Sequence, residues 1–433
     1  MRKAMAAAAA FLVLAGMALV LGHPAWAQTA ADAAAGTGAH FDPKDATEAY
    51  LATVSGTARA QSDAYFEGGY WLILWDTVYS LGVAWLLLRK GFSARVRDWC
   101  ERRSRRRFLQ TFLFAAIYVL LSSLITLPWM VYTGFIREHQ YGLANQSFLG
   151  WLADKAIGMG ISVVALGLFI AVIYALVRKT GARWWLWGTG ITAAFFAVVI
   201  LISPVFIAPL FNDYEPLKDQ KVEQAILTMA REQGAVFDHV YVYNESKQSD
   251  RITANVSGLF GTKRISLADN LLKRGTLPEI KAVVGHELGH YMLGHVYWLI
   301  LELSAVLGAG YLFITLAYPR VVARWGQGWG LRGLDDMANL PLMFALLSVY
   351  MMVMTPVTNS ITRHEEAAAD AYGLNAAREP DGFATITLKL AQYRKLAPGP
   401  IEEMIFYDHP SAKSRIRMAM DWKAAHIKGG AAQ

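Results

Sequence analysis

Cysteine is nearly absent from this chain: Cys100 stands alone among 433 residues. A single thiol closes no internal disulfide, and with no Cys or His at ligand spacing around it, it builds no thiolate metal site either. Charge is also scarce, at 17% Asp, Glu, Lys and Arg, and long stretches carry none, which excludes an ordinary soluble globule. The net charge of +7 gives no reason to invoke nucleic acid, because nine Lys and Arg crowd into residues 89–107, a short loop between apolar runs where topology-setting charge belongs. No internal repeat is present.

Apolar sequence is what the chain has in abundance. Hydrophobic residues make up 55% of it, with 14 Trp, which places it among polytopic membrane proteins bound to a lipid bilayer. Residues 1–27 open with Met-Arg-Lys, continue through an apolar run and end Ala25-Trp26-Ala27, the pattern of a secretory signal or of a first membrane helix. Residues 28–65, rich in Ala, Gly and Thr, are expected to be an exported low-complexity linker. Six further runs are long enough to cross a hydrocarbon core, which needs about 20 helical residues: 70–88, 108–136, 148–177, 184–210, 296–318 and 340–357. Asp76, Pro128, Asp154, Lys155 and Glu302 interrupt them and hint at a polar cavity.

These runs divide the chain into a four-helix membrane region (66–211), an α/β unit (212–295), two membrane helices (296–357) and a C-terminal region (358–433). Basic residues mark the 89–107 loop, the loop of Arg178, Lys179 and Arg183, and the loop of Arg320, Arg324 and Arg332, whereas the loop around Arg137 is nearly uncharged. Basic loops face the cytoplasm. Counting crossings then puts the α/β unit and the C-terminal region on the extracytoplasmic side of a bacterial-type inner membrane.

Within the α/β unit, residues 221–233 have helical periodicity, Val240–Tyr243 alternates like a strand, and residues 256–267, broken by Gly258 and Gly261, predict a hairpin. A helical run over 279–298 contains His286-Glu287-Leu288-Gly289-His290. Spacing of four puts both imidazoles on one helix face, one turn apart, as two ligands of a tetrahedral Zn²⁺ require, and Glu287 lies beside them to act on a metal-activated water. An amphipathic helix with two solvated histidines is the plainer alternative, but Val283, Val284 and Leu288 bury its other faces. His295, five residues past His290, falls off the ligand face and is expected to be structural. A third ligand is needed, and the run Arg363-His364-Glu365-Glu366-Ala-Ala-Ala-Asp370 offers carboxylates. Glu366 and Asp370 share a helix face, so one can ligate while the other orients a ligand histidine. Spacing alone does not choose between Glu365 and Glu366.

Together these blocks resemble the CAAX prenyl endopeptidase family of polytopic zinc proteases, with HtpX-type bacterial proteases as more distant relatives. The resemblance rests on Ile207-Ala-Pro-Leu-Phe211 with Pro216-Leu217, Lys263-Arg-Ile-Ser-Leu267, the His-Glu motif, and Asn359 with Arg363, Glu366, Ala369 and Asp370. It implies a helical membrane bundle joined to a gluzincin-like α/β protease unit holding one Zn²⁺ per chain. It also implies Glu366 as the third ligand, with Asp370, Asn359 and Arg363 behind the ligands. Asp408-His409-Pro410 and Arg415 match the pair that holds the substrate carbonyl and its developing oxyanion in that family. An extended peptide would add to an edge strand at Ala254, Asn255, Ser257 and Gly258. The expected activity is zinc-dependent endoproteolysis of membrane-associated or exported proteins, with no obligate protein partner. The extracytoplasmic placement argues against prenylated substrates. A silent scaffold or chaperone, or a transporter with a structural zinc, is the alternative; a scaffold would have no use for Glu287, and a transporter would show inverted repeats, of which there is no trace.

Overall fold

The computed structural model describes residues 41–257 and 263–427. The signal-like segment with its cleavage site after Ala27, and Gly258 and Gly261 at the tip of the expected hairpin, lie outside the described residues.

All six apolar runs are helical: α2 (Gly56–Leu88), α4 (Arg107–Val131, prolonged through a wide turn to Gln140), α5 (Phe148–Thr180), α6 (Trp184–Ile202), α10 (His295–Trp325) and α11 (Leu340–Ala377). Among the described residues, five stretches are long and apolar enough to cross a membrane, and one of them, Phe148–Leu210, contains both α5 and α6, separated by a tight turn at Gly181–Arg183. The shared core of α4, α5, α6, α10 and α11 is Phe114, Ile170, Tyr174, Trp184, Tyr311 and Met343. The polar interruptions find partners: the Trp129 indole donates to Asp76 at 2.6 Å, and Asp154 accepts from Gln146 and Gln248. Asp154 and Lys155 line a cavity of about 800 Å³ between α4, α5 and residues 245–251, whose walls also carry Leu124, Leu127, Met130, Trp151 and Met159, so it is more apolar than those interruptions suggested.

The expected exported linker is corrected by the structure. Residues 43–52 form helix α1 (Pro43–Ala52), started by Asp42, which accepts from the Lys44 amide, and by Pro43 in the first turn. Leu51 is buried in the core of the α/β unit, and the Tyr50 hydroxyl donates to Asp381. A weak apolar pattern hid this helix because only a narrow stripe of it is covered. A short amphipathic helix, α3 (Phe92–Arg103), follows α2 on the basic loop.

The α/β unit holds a four-stranded sheet in the order β1-β2-β4-β3, from β1 (Tyr214–Pro216), β2 (Val240–Tyr243), β3 (Ala254–Ser257) and β4 (Arg264–Ala268). β2 and β4 run parallel and the outer pairs antiparallel. Central β4 is buried from Ile265 to Ala268, while β3 is left as an edge beside the motif helix. Around the sheet pack α7 (Gln220–Glu232), α8 (Asp269–Arg274), α9 (Leu277–Met292), α12 (Pro380–Leu390), α13 (Pro400–Phe406) and α14 (Ala412–Ile427). Val284 and Leu288 of α9 are fully covered, each contributing about 1.5–3 kcal/mol.

The motif helix is shorter than the 279–298 run expected from periodicity. It starts on a capping box, with Thr276 and Glu279 serving each other's backbone, and stops at Met292 because Gly294 takes a left-handed conformation (φ +69°). Conversely, the last apolar run and the third-ligand run, expected as separate domains, are one 38-residue helix, α11.

α9 meets the last third of α11 through small residues. A Cβ on Gly285 would lie 3.0 Å from the Gly373 carbonyl, one on Gly289 2.9 Å from the Ala369 carbonyl, and one on Gly373 2.7 Å from the His286 amide nitrogen. Gly373→Ala therefore wedges the helices apart. The expected cost is about 1–3 kcal/mol, read as a lower melting temperature in detergent together with weaker metal retention. Gly190→Ala, whose added carbon meets nothing within 4 Å, should leave both unchanged or raise stability slightly.

Candidate metal centre

The α9–α11 contact brings His286, His290 and Glu366 together, with ligand atoms within 4.8 Å of one another. His286 Nε2 lies 3.1 Å from His290 Nε2 and 3.2 Å from Glu366 Oε2, and His290 Nε2 lies 3.4 Å from Glu366 Oε1. Each ring is oriented from behind. His286 donates Nδ1–H to Asp370, which is fully buried and gripped by Arg415 through Nε at 2.8 Å and Nη2 at 2.5 Å. His290 Nδ1 lies 2.9 Å from His295 Nδ1, and His295 Nδ1 lies 3.3 Å from Glu365 Oε2.

With the Nδ1 protons committed this way, both Nε2 lone pairs and a carboxylate face one point. Glu366 Oε2 is buried there without a hydrogen-bond donor in good geometry. Such a cluster repels itself unless a cation sits among the three atoms. Two nitrogens at about 2.0–2.1 Å from a tetrahedral zinc stand roughly 3.3 Å apart, close to the separations here. The donor set fits a zinc-like divalent metal.

Glu287 is half-buried and lines a cavity of about 240 Å³ with His286, Thr253, Ala254, His409 and Arg415. Burial pushes its carboxyl up, against the pull of His286 and His290. His409 Nε2 lies 3.2 Å from Glu366 Oε2, and its Nδ1 faces Asp408 at 2.9 Å.

Several expected roles shift. Arg415, expected at the substrate carbonyl, donates to Asp370 from Nε and Nη2 and also forms part of the cavity wall. Asn359 and Arg363 do not stand behind the ligands. Asn359 donates to the Ile405 carbonyl and Arg363 to the Glu403 and Tyr407 carbonyls, so they fasten α13 and the segment that presents His409. Of the expected edge-strand residues, Ala254 lines the cavity, while Asn255 and Ser257 lie further along β3. His295 was missed as a partner of His290. Its spacing of five is off-face on a continuous helix, and only the Gly294 turn swings it back.

Residues 44–213 match the family described as CAAX prenyl protease N-terminal, five membrane helices, and residues 216–423 match Peptidase family M48. The uncharacterized metalloprotease YhfN of Bacillus subtilis is 33% identical over 77% of this chain and 79% of its own length. The chain belongs to peptidase family M48. CAAX prenyl protease 1 of Saccharomyces cerevisiae is 26% identical over 72% of each chain, and the human CAAX prenyl protease 1 homolog 25% identical over 79% of this chain and 82% of its own. The crystal structure of S. mikatae Ste24p covers 87% of this chain and 95% of that one, with a TM-score of 0.68 at 20% identity, so the fold is shared. This M48 chain is thus a multi-pass membrane metalloprotease.

The His290–His295 contact makes a separate prediction. His295→Ala should weaken metal affinity by about 10–100-fold, measured by chelator competition on the purified protein, with the fold intact by circular dichroism. His295→Gln, which retains an acceptor, should recover part of the loss.

Proposed function

We propose that this M48 peptidase is a zinc-dependent endopeptidase that hydrolyses peptide bonds of membrane-associated or exported proteins, its catalytic unit on the extracytoplasmic side of the membrane. The convergence of His286, His290 and Glu366 beside Glu287 in a cavity bordered by an edge strand carries this reading. An extended peptide adds along β3, whose outer edge is unpaired among the described strands, bringing a scissile carbonyl past Thr253 and Ala254 toward Glu287. Bound zinc supplies Lewis acidity to a water and to that carbonyl.

Glu287 takes the proton from the attacking water and returns it to the leaving amine, a cycle served by a carboxyl whose burial raises its proton affinity. His409, poised over Glu366, donates toward the oxygen on which negative charge develops. Asp370 holds the His286 tautomer, and Arg415 keeps Asp370 ionised and fixed in the protein interior. The basic loops at the other end of the bundle support the extracytoplasmic placement, which leaves peptides without a prenyl group as the substrates to try first.

The test is zinc content and cleavage of casein or a model peptide by detergent-purified protein. Glu287→Gln should keep its zinc and lose at least about a hundredfold in turnover. Glu366→Ala should lose both zinc and activity. Equal zinc in all three proteins with no cleavage by any of them overturns the assignment and favours a scaffold with a structural metal.

A further inference from the structure

The helix that precedes His409 is turned inside out for a surface in water. α13 (Pro400–Phe406) carries two acidic residues, and both point into the protein. Glu402 accepts from the Tyr70 hydroxyl at 2.8 Å and from Lys395 at 3.0 Å, and Glu403 accepts from the Ser411 amide at 2.8 Å. Ile401 and Met404, three apart on one helix face, point outward and are 70% and 51% exposed. Residues 396–401, which lead into the helix, carry no charge. A short helix facing water places these groups the other way round.

The depth of α13 follows from α2, against which it packs. The Phe406 ring stacks on Tyr70 with centres 3.9 Å apart, and Tyr407 meets Phe66, one turn earlier on α2, at 4.5 Å. Next along α2 come Trp71 and Trp75, both exposed, in the first turns of the apolar run that begins at residue 70. At the far end of that run Trp85 is exposed, with Arg89 4.7 Å from its ring centre. An amphipathic ring paired with a snorkelling arginine marks headgroup depth. Trp71 and Arg89 are 18 residues apart, about 27 Å along the helix, which matches the ~30 Å of a hydrocarbon core. Tyr70 and Trp71 therefore lie at the opposite headgroup layer, and α13 lies there with them. Phe148 and Leu149 at the start of α5, and Tyr297 at the start of α10, are exposed at the same end of the bundle, as in the aromatic belt of a membrane interface.

An apolar face at headgroup depth, continuous with the exposed surface of α2, fits the boundary between headgroups and acyl chains, into which interfacial helices sink about 5–10 Å. We propose that Ile401 and Met404 insert into that boundary on the catalytic side, so that α13 fastens to the bilayer the segment presenting His409. Asn359 and Arg363 hold the other side of the same segment through the Ile405, Glu403 and Tyr407 carbonyls. The part of the catalytic cavity wall formed by Tyr407 and His409 is thereby set at a fixed height above the lipid. This anchoring depends on membrane residence and is independent of whether the cavity cleaves peptides.

Site-directed spin labelling of the full chain in phosphatidylcholine/phosphatidylglycerol nanodiscs tests it, because Cys100, the single native thiol, is buried. Ile401→Cys and Met404→Cys are labelled separately, with Lys218→Cys, a charged position 89% exposed on the α/β unit, as the aqueous reference. Oxygen partitions into lipid and a water-soluble nickel chelate does not, so the oxygen-to-nickel collision ratio should be at least about threefold higher at the first two positions than at the third. Equal ratios at all three place the face in water and overturn the proposal. Low collision with both reagents means that protein covers the face, a second copy if labelled chains also broaden one another's spectra, and overturns it as well. Each variant replaces an exposed side chain and is read alone, so loss of one protein leaves a decisive measurement in the other.

Discussion

Where α9 crosses α11, Gly285 and Gly289 lie against Ala369 and Gly373 so closely that a methyl group at any of the three glycines would meet backbone at 3.0 Å or less. Side chains of ordinary size would hold the two axes at 8–10 Å, the usual helix spacing. The imidazole of His286 then could not reach Asp370 at 2.7 Å, nor could Glu366 approach both histidines. Those glycines cost helix propensity, about 1 kcal/mol apiece relative to alanine. The helices tolerate that cost because Val284, Leu288 and Leu374 are covered beside them.

The same crossing arranges the buried charges into two parallel chains. Arg415, Asp370 and His286 form one; the other is the pair in which His290 donates its Nδ1–H to Nδ1 of His295. Each fixes the tautomer of one ligand ring and leaves its Nε2 turned inward. Removing a link leaves a buried polar group uncompensated, costing about 1–3 kcal/mol or more when it is charged. Charge balance thus accounts for why Arg415 pairs with Asp370: a fully buried carboxylate needs a cation beside it.

Much of this was legible in the sequence, for reasons that also define what was not. Membrane-length apolar runs report on one variable, transfer into hydrocarbon, so all six emerged as helices. The His-Glu motif is local, fixed by one turn of helix, so His286, Glu287 and His290 could be placed by spacing. Glu366 needed the resemblance, because periodicity cannot say which of two adjacent carboxylates faces another element. Asn359, Arg363 and Arg415 carry polar side chains whose partners lie 40 or more residues away, at Glu403, Ile405 and Asp370. Nothing local distinguishes a residue that touches the metal ligands from one that fastens the segment carrying His409. Residues 43–52 failed for a different reason, since a helix covered along one narrow stripe has almost no apolar periodicity.

The length of α11 connects the site to the bilayer. Leu340, at its start, adjoins the loop of Arg332 at the basic end, where Trp85, Trp99 and Trp325 are exposed, and Glu366 is 26 residues further on in the same helix, past Pro356. At 1.5 Å per residue the separation is about 39 Å. A tilt of about 20° shortens its projection only to roughly 37 Å, still more than the ~30 Å of hydrocarbon in a typical bilayer. A helix that begins at one headgroup layer must therefore deliver Glu366 to the far one, where a peptide can enter from water and where the ionised ligands, Asp370 and Arg415 need not be carried into lipid. The spacing between the basic end and the metal centre is carried by one helix, so the depth of the catalytic cavity follows from where the arginines and tryptophans settle.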